Sequence, residues 1–425
     1  MHGPAVTIDI EQVLEAEPIR PHSTLTGLMW VFVLIGMVTF TIGLRVAQPA
    51  HVWAVYYVNL VFFMGLSCGA VIFTAILQIV RAKWSAPVSR IAEAAVAFLP
   101  WAYLLFLGSY LGKEYLFPWA RAPMPGREWW MQANFVYARF AVLLAFLFFM
   151  MNRFVKMSLR ADVGFCREKA KNKERWSGAC YTALTENWQG SDAEVAAIQP
   201  KRSWNAPLLI ALYAAIYSLF AFEMVMAMDT VWYANMFGGF TIIGNIYMGL
   251  AVLGLSVVYL VRTNSDFAKV VTTAQLWDMG KLTFAFCMLW GYMFWAQFLP
   301  QWYGNLPEET QWMILRTREF PWKGWGWFVF PMCFILPFIL LLSRDLKKTP
   351  RYFASVCALI FFGMWMEKYL IIMPQFSPTA IPFSCSEIGI FLGFLGVYVL
   401  AVTKFLSKYP FVQISHPTMV GKTTW

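Results

Sequence analysis

The chain has 425 residues, 60% hydrophobic and only 13% charged, and it carries a formal net charge of +10. Soluble domains run to about 25% charged residues, so this composition, with a mean hydropathy of +0.56, excludes an ordinary soluble enzyme. The positive charge belongs to a membrane signature and implies no nucleic-acid partner.

Residues 1–25 form a tail with Asp9, Glu11, Glu15 and Glu17. It lacks the basic n-region and small-residue cleavage site of a signal peptide, so the first apolar run is expected to stay. Reading onward for apolar stretches of about 20 residues gives ten predicted spans: 26–45, 52–80, 91–112, 133–151, 206–228, 238–261, 280–300, 325–343, 352–372 and 386–407. The expectation is an all-α integral membrane protein with ten transmembrane helices. Spans 1–4 fall within 26–151, a polar cytoplasmic loop covers 152–205, spans 5–10 fall within 206–407, and a cytoplasmic tail covers 408–425. Val80-Arg81 leading to Glu93 has a loose counterpart in Val261-Arg262 leading to Asp278 and Lys281. Spans 2–5 and 6–9 therefore read as a repeat of one orientation, with chance as the competing explanation.

Charge asymmetry tests the count. With the N-terminus cytoplasmic, 23 Lys and Arg fall on inner connections and 7 on outer ones, while Arg139, Lys281 and Lys368 fall within spans. That bias supports ten helices with both termini cytoplasmic.

The histidines are His2, His22, His51 and His416, none inside an apolar run. A haem held between helices usually needs facing histidines. The seven cysteines, Cys68, Cys166, Cys180, Cys287, Cys333, Cys357 and Cys385, are scattered without C-x2-C or C-x-x-C-H spacing, so no cluster or c-type haem is expected. They read as structural, with Cys166 and Cys180 the exposed candidates on the inner loop. Any electrons this chain handles are expected to come from a partner.

Two outer loops, 117–130 and 302–327, are dense in Trp, Pro and charge. They read either as aromatic anchors at the headgroup layer or as a docking surface. Gly65 with Gly69, Gly238 with Gly239, and Gly244 with Gly249 read as close helix approaches.

An ionisable side chain in hydrocarbon costs on the order of 3 kcal/mol, so each asks for a partner or a role. Glu93, Asp278 and Lys281 lie near the cytoplasmic ends of their spans. Arg139, Glu223, Gln297, Glu367, Lys368 and Glu387 lie near the outer ends. In the functional reading, Glu93, Asp278, Lys281, Glu223 and Glu367 carry protons, because buried carboxylates can both take and release them. Arg139, Glu223, Gln297 and Lys368 then line an outer polar pocket. The alternative is structural ion pairing or snorkelling. His51, followed by Tyr56, Tyr57 and Asn59, stands where a donor to a quinone carbonyl is plausible, although a lone interfacial His is more often merely solvated.

The stretches RAKWSAPVSRIAEA, WDMGKLTFAF at 277–286 and WYGNLPEET at 302–310, together with ten spans and no haem ligands, resemble the NrfD/PsrC superfamily of quinone-interacting membrane subunits. The likeness is greatest to the membrane subunits of alternative complex III and of the menaquinone reductase complex Qrc. It covers nearly all spans but not the 152–205 loop. The resemblance implies two four-helix bundles with a flanking helix pair, and a bacterial inner-membrane location. It further implies an outer-face menaquinone site served by partners: an extra-cytoplasmic iron-sulfur subunit, a multihaem cytochrome c and a molybdopterin-family-like subunit. By it, Asp278 and Lys281 match the D-x-G-K position of a cytoplasmic proton path. The family pattern has a His just before that aspartate, where this chain has Trp277.

The leading expectation is thus a cofactor-free subunit of a respiratory quinone oxidoreductase complex, not catalytic alone. Menaquinone is the substrate, reduced with electrons that begin on periplasmic cytochrome c. The alternatives are a quinol-oxidising alternative complex III subunit, a secondary transporter and a purely structural anchor.

Overall fold

A computed structural model describes residues 10–15 and 17–416; His2, Asp9 and Lys422 lie outside the described residues. Among the described residues ten helices are long and apolar enough to cross a membrane: Ser23–Val46, Pro49–Ile79, Ala86–Leu116, Ala133–Lys169, Ser191–Met228, Phe237–Thr263, Thr273–Gly304, Trp322–Leu342, Pro350–Gln375 and Cys385–Leu406, spans 1 to 10. Among the described residues there is no strand, as a lipid-facing chain requires when each helix satisfies its own backbone. Alternation puts the connections 117–132, 229–236, 305–321 and 376–384 on one face, called here the Trp-rich face. The connections 80–85, 170–190, 264–272 and 343–349 lie on the other, the basic face.

Spans 2, 3, 4 and 5 close into one four-helix ring and spans 6, 7, 8 and 9 into a second. Spans 2 and 6 join the rings along their length, and spans 1 and 10 pack on each other as the flanking pair. Glycine makes both seams possible. A Cβ on Gly69 would stand 2.0 Å from the Asn245 carbonyl oxygen, and one on Gly36 would stand 2.4 Å from the Gly393 Cα.

Helix ends follow local chemistry. Thr272 with Gln275 and Ser384 with Glu387 form capping boxes at the starts of spans 7 and 10, satisfying amides the helix leaves unpaired. Asn305 stops span 7 in the left-handed conformation at φ 46°. Pro307 then opens a helix, Pro307–Thr317, with Glu308 and Glu309 in its first turn, where acidic residues favour the dipole. The motif WYGNLPEET is therefore, in large part, a helix stop followed by a helix start.

The polar stretch 152–205, expected as a loop, is mostly helix. Span 4 runs on to Lys169 and span 5 begins at Ser191, leaving a short connection with a 3-10 turn, Lys173–Trp176, and a short α-helix, Ala179–Leu184. Beyond residue 151 the helical period continues, with Phe154, Val155, Ser158, Leu159 and Asp162 buried and Arg153 and Lys156 exposed. Cys166 is buried here, while Cys180 and Cys385 are exposed. The acidic N-terminal tail meets this region through ion pairs of Glu15 with Lys171 and Glu17 with Arg175.

The segment after span 10, expected as a solvated tail from 408, folds back as far as His416. Phe411, Val412 and Ile414 are buried, and the Gln413 amide donates to the Ala86 carbonyl at 3.2 Å. Burial of three apolar side chains, at about 25 cal/mol per Å², accounts for the docking.

Candidate functional site

The second bundle holds an aromatic slot near the Trp-rich face. Phe240, Trp290, Phe294 and Phe330 form its walls, with Gln297, Trp312, Arg316 and Glu367 among its lining residues, around a cavity of about 90 Å³. At roughly 10–15 Å³ per water this is room for several waters, so a flat ring must part its walls to enter. Trp290 and Phe294 stack at 5.8 Å, and Phe294 meets Phe330 at 5.0 Å. The half-buried Phe298 and Met313 line its edge, and exposed Trp295, Leu299 and Ile314 are their chain neighbours.

The polar groups of the slot are incompletely used. Trp290 Nε1, Trp312 Nε1 and Gln297 Oε1 are buried without hydrogen-bond partners, and such groups cost about 1–3 kcal/mol each if left so. Glu367 is ion-paired with the adjacent Lys368 at 2.8 Å, both side chains nearly inaccessible. Arg316 is buried with three carbonyls around it: Nε donates to Leu370 O at 2.9 Å, Nη1 to Trp312 O at 2.9 Å and Nη2 to Ile371 O at 2.8 Å. It lies 3.7 Å over the Trp312 ring, which itself stacks on Trp232 at 3.9 Å. Burial pushes the Arg316 guanidinium down to about 9.

The first bundle carries a different site at the same face. Glu223 sits on a π-helical turn, Ala221–Val225, a distortion that often marks a special side chain. It pairs with Arg139 and accepts from Trp130 Nε1 at 2.7 Å, and the Arg139 guanidinium lies 4.0 Å over that indole. Glu223, Trp130, Arg127 and Tyr233 line a cavity of about 370 Å³. The expected outer pocket of Arg139, Glu223, Gln297 and Lys368 is thus divided between two bundles.

The other expected quinone ligands are engaged elsewhere. His51 Nε2 lies 3.1 Å from Glu387 Oε1, an oxygen that also accepts from Tyr369. Tyr56 donates to Leu105 O and Tyr57 to Met224 O, each at 2.7 Å. Asn59 donates to Val55 O at 2.9 Å and accepts from Trp365 at 3.0 Å. None of these four lines either cavity; their helix is the joint between bundles, so their polar groups tie helices together. Tyr57 and Tyr247 have matching tasks, since Tyr57 bonds a carbonyl of the Ala221–Val225 turn and Tyr247 bonds Cys333 O within a second π turn, Pro331–Ile335.

At the basic face Glu93 does not join Asp278 and Lys281. It pairs with Arg90 at 2.5 Å and Arg202 at 2.9 Å and accepts from Ser158 at 3.2 Å. Arg90 also pairs with Asp162, whose other oxygen accepts from the Ser415 amide at 2.7 Å. Two cations and two carboxylates thus form a buried, neutral knot under the folded-back C-terminal segment. Asp278 and Lys281 pair at 2.5 Å near the surface of the other bundle. Trp277 lies within 5 Å of three cations, Lys281, Arg344 and Lys348. Gly280 leaves room for Lys347, whose Cγ would stand 2.7 Å from a Cβ there.

Sequence reading missed Trp290, Trp312, Arg316, Asp162 and Arg202 as site-forming residues. The i, i+4 spacing of Trp312 and Arg316, and the continuing helical period through Ser158 and Asp162, were the available signals. In the Trp-rich 302–327 segment two tryptophans are held by the fold itself, Trp322 donating to Ser377 O at 2.8 Å and Trp325 to Met366 O at 3.2 Å. Trp302, Tyr303 and Phe320 remain strongly exposed.

Compared with known families and characterised proteins, the chain matches no family model and no characterised relative.

Proposed function

We propose that this multi-pass membrane protein is a quinone-binding subunit of a respiratory oxidoreductase complex of the NrfD/PsrC kind, with the aromatic slot of the second bundle holding the ring of menaquinone. The observation that carries this reading is the pair of unpartnered indole N–H groups, Trp290 and Trp312, in the wall of an aromatic cavity near the bilayer. A quinone ring asks for apolar faces and for donors to its two carbonyls. Its polyprenyl tail asks for a way out to lipid, and the Phe298–Met313 edge supplies one.

In this reading two electrons arrive from a partner's cluster at the Trp-rich face, and each reduced carbonyl takes a proton. Glu367, paired with Lys368 beside the slot, is the proposed proton partner. Asp278 and Lys281 are the proposed entry from the basic face, which the charge bias makes cytoplasmic. Glu93, knotted between two arginines, is assigned a structural task instead. Arg139 and Glu223 stand apart as a second polar site. The favoured direction is menaquinone reduction. The proposed partners are an extra-cytoplasmic iron-sulfur subunit and a multihaem cytochrome c, and the proposed location is a bacterial inner membrane.

The transporter reading draws on the irregular turns at 94–98, 221–225 and 331–335, since transporters break helices at their sites. Here Tyr57 and Tyr247 bond carbonyls freed by two of those turns, which favours a packing explanation.

Equilibrium binding of a short-chain menaquinone to the protein in nanodiscs tests the proposal. Saturable binding that weakens in a Trp290→Phe, Gln297→Leu variant is expected; equal affinity in wild type and variant contradicts the slot assignment.

A further inference from the structure

We infer that the basic end of span 4 is a binding site for an anionic phospholipid of the bilayer. Val142, Phe146, Phe149, Arg153, Lys156 and Arg160 recur at alternating spacings of four and three residues, so they lie in one stripe along the helix. The first three are apolar and exposed, at 69%, 45% and 62%, as expected of a surface turned to acyl chains. The last three are cationic. One stripe therefore passes from a hydrocarbon-facing half to a charged half, the profile of a phospholipid lying against the helix.

A cavity of about 310 Å³ opens where the two halves meet, lined by Phe149, Asn152, Arg153, Lys156, Met157, Arg160 and Leu184. Its far wall is fixed, since Arg160 donates to Glu194 at 2.7 Å and to the Leu184 carbonyl at 3.3 Å. Arg153 and Lys156 have no acidic partner among the described residues. Two uncompensated cations, an amide and a concave rim match one glycerophosphate headgroup. Snorkelling lysines alone form no such hollow. The source is the membrane, because the apolar half of the stripe has no use for a free anion.

The test uses the full-length chain, delipidated in a neutral detergent and titrated with phosphatidylglycerol or phosphatidylcholine, with bound lipid counted by native mass spectrometry. At about one kcal/mol per basic residue, phosphatidylglycerol is expected to bind on the order of thirtyfold more tightly than phosphatidylcholine. An Arg153→Gln, Lys156→Gln variant is expected to lose that preference, whereas Arg153→Lys, Lys156→Arg keeps it. Arg262→Gln with Arg351→Gln, a matched loss of charge elsewhere on the basic face, also keeps it. Equal binding of the two lipids to the wild-type chain overturns the inference whatever the variants do. Survival of the preference in the double glutamine variant overturns it as well, as does full displacement of the lipid by millimolar inorganic phosphate.

Discussion

The two four-helix bundles share a membrane, a seam and a layout of charge near both ends, yet the first ties its buried charges to one another across helices while the second gathers unpaired polar groups around an aromatic cavity. In the first, buried charges pair across helices, Arg90, Glu93, Asp162 and Arg202 at the basic face and Arg139 with Glu223 at the Trp-rich face, although Arg90 Nε, Arg139 Nε and Nη1, and Arg202 Nε and Nη1 keep no partner. In the second, the basic-face pair Asp278–Lys281 is superficial, while the Trp-rich end leaves indoles, an amide oxygen and a carboxylate oxygen without partners. A closed network buys a fixed shape. An open one invites a ligand, because unpaired buried polar groups are costly until something pairs them.

The sharpest way to break that comparison is to open the closed knot. Glu93→Gln removes one carboxylate from a balanced four-charge cluster and leaves a cation uncompensated, at a cost of about 3–5 kcal/mol. Thermal unfolding in detergent is expected to shift strongly downward, and a wild-type melt for this variant would show the knot to be dispensable.

The next largest effect is pH-dependent and reports on the segment that lies over the knot. His416 is buried near Ser85, at 3.5 Å from its hydroxyl, and burial pushes its imidazole down to about 3. An undocked histidine titrates near 6.5. The docked segment therefore binds fewer protons, its stability is complete above pH 6.5, and it weakens as pH falls, by about 2 kcal/mol at pH 5. The protection factors of residues 411–416, that is exchange rates corrected for the intrinsic pH dependence of amide exchange, should fall about thirtyfold between pH 7 and pH 5 in the wild type, and His416→Asn should flatten that fall.

How much of this was legible beforehand follows the same division. The ten spans and the close glycine approaches were readable because apolar length and small-residue spacing are local properties, whereas the two rings were expected only from the family resemblance. The extents of spans 4 and 5 were not, because an apolar-run criterion stops at Arg153 whereas the helix stops only at Lys169. Arg139 with Glu223, and Glu367 beside Lys368, were visible as charges in hydrocarbon. Their allotment to separate bundles depends on which helices touch, which no single span encodes. Tyr56, Tyr57 and Asn59 looked like ligands because polar groups on an apolar helix attract notice; in the fold they join helices. Trp290 and Trp312 were hidden among 21 tryptophans, set apart only by lining the slot with their N–H groups unpaired.

A smaller effect concerns the open end. Trp290→Phe removes one donor and leaves a smaller aromatic ring, and with Gln297→Leu it should weaken menaquinone binding about tenfold, equivalent to ~1.4 kcal/mol, with a lowered melting temperature from the cavity left at this buried position. Smallest of all, Asp278→Asn breaks a surface ion pair and should move stability by less than about 1 kcal/mol. Measured beside Glu93→Gln, it contrasts the two basic ends directly. A large melting shift for Asp278→Asn would mean that the second bundle's pair is structural after all.

The most direct test of the central claim asks which bundle holds the ring. A photoreactive short-chain naphthoquinone, activated on the protein in nanodiscs and mapped by peptide mass spectrometry, is predicted to label residues 290–298 and 312–317 and to be competed by menaquinone. Competed labelling confined to 124–131 and 222–233 in the first bundle would contradict the account.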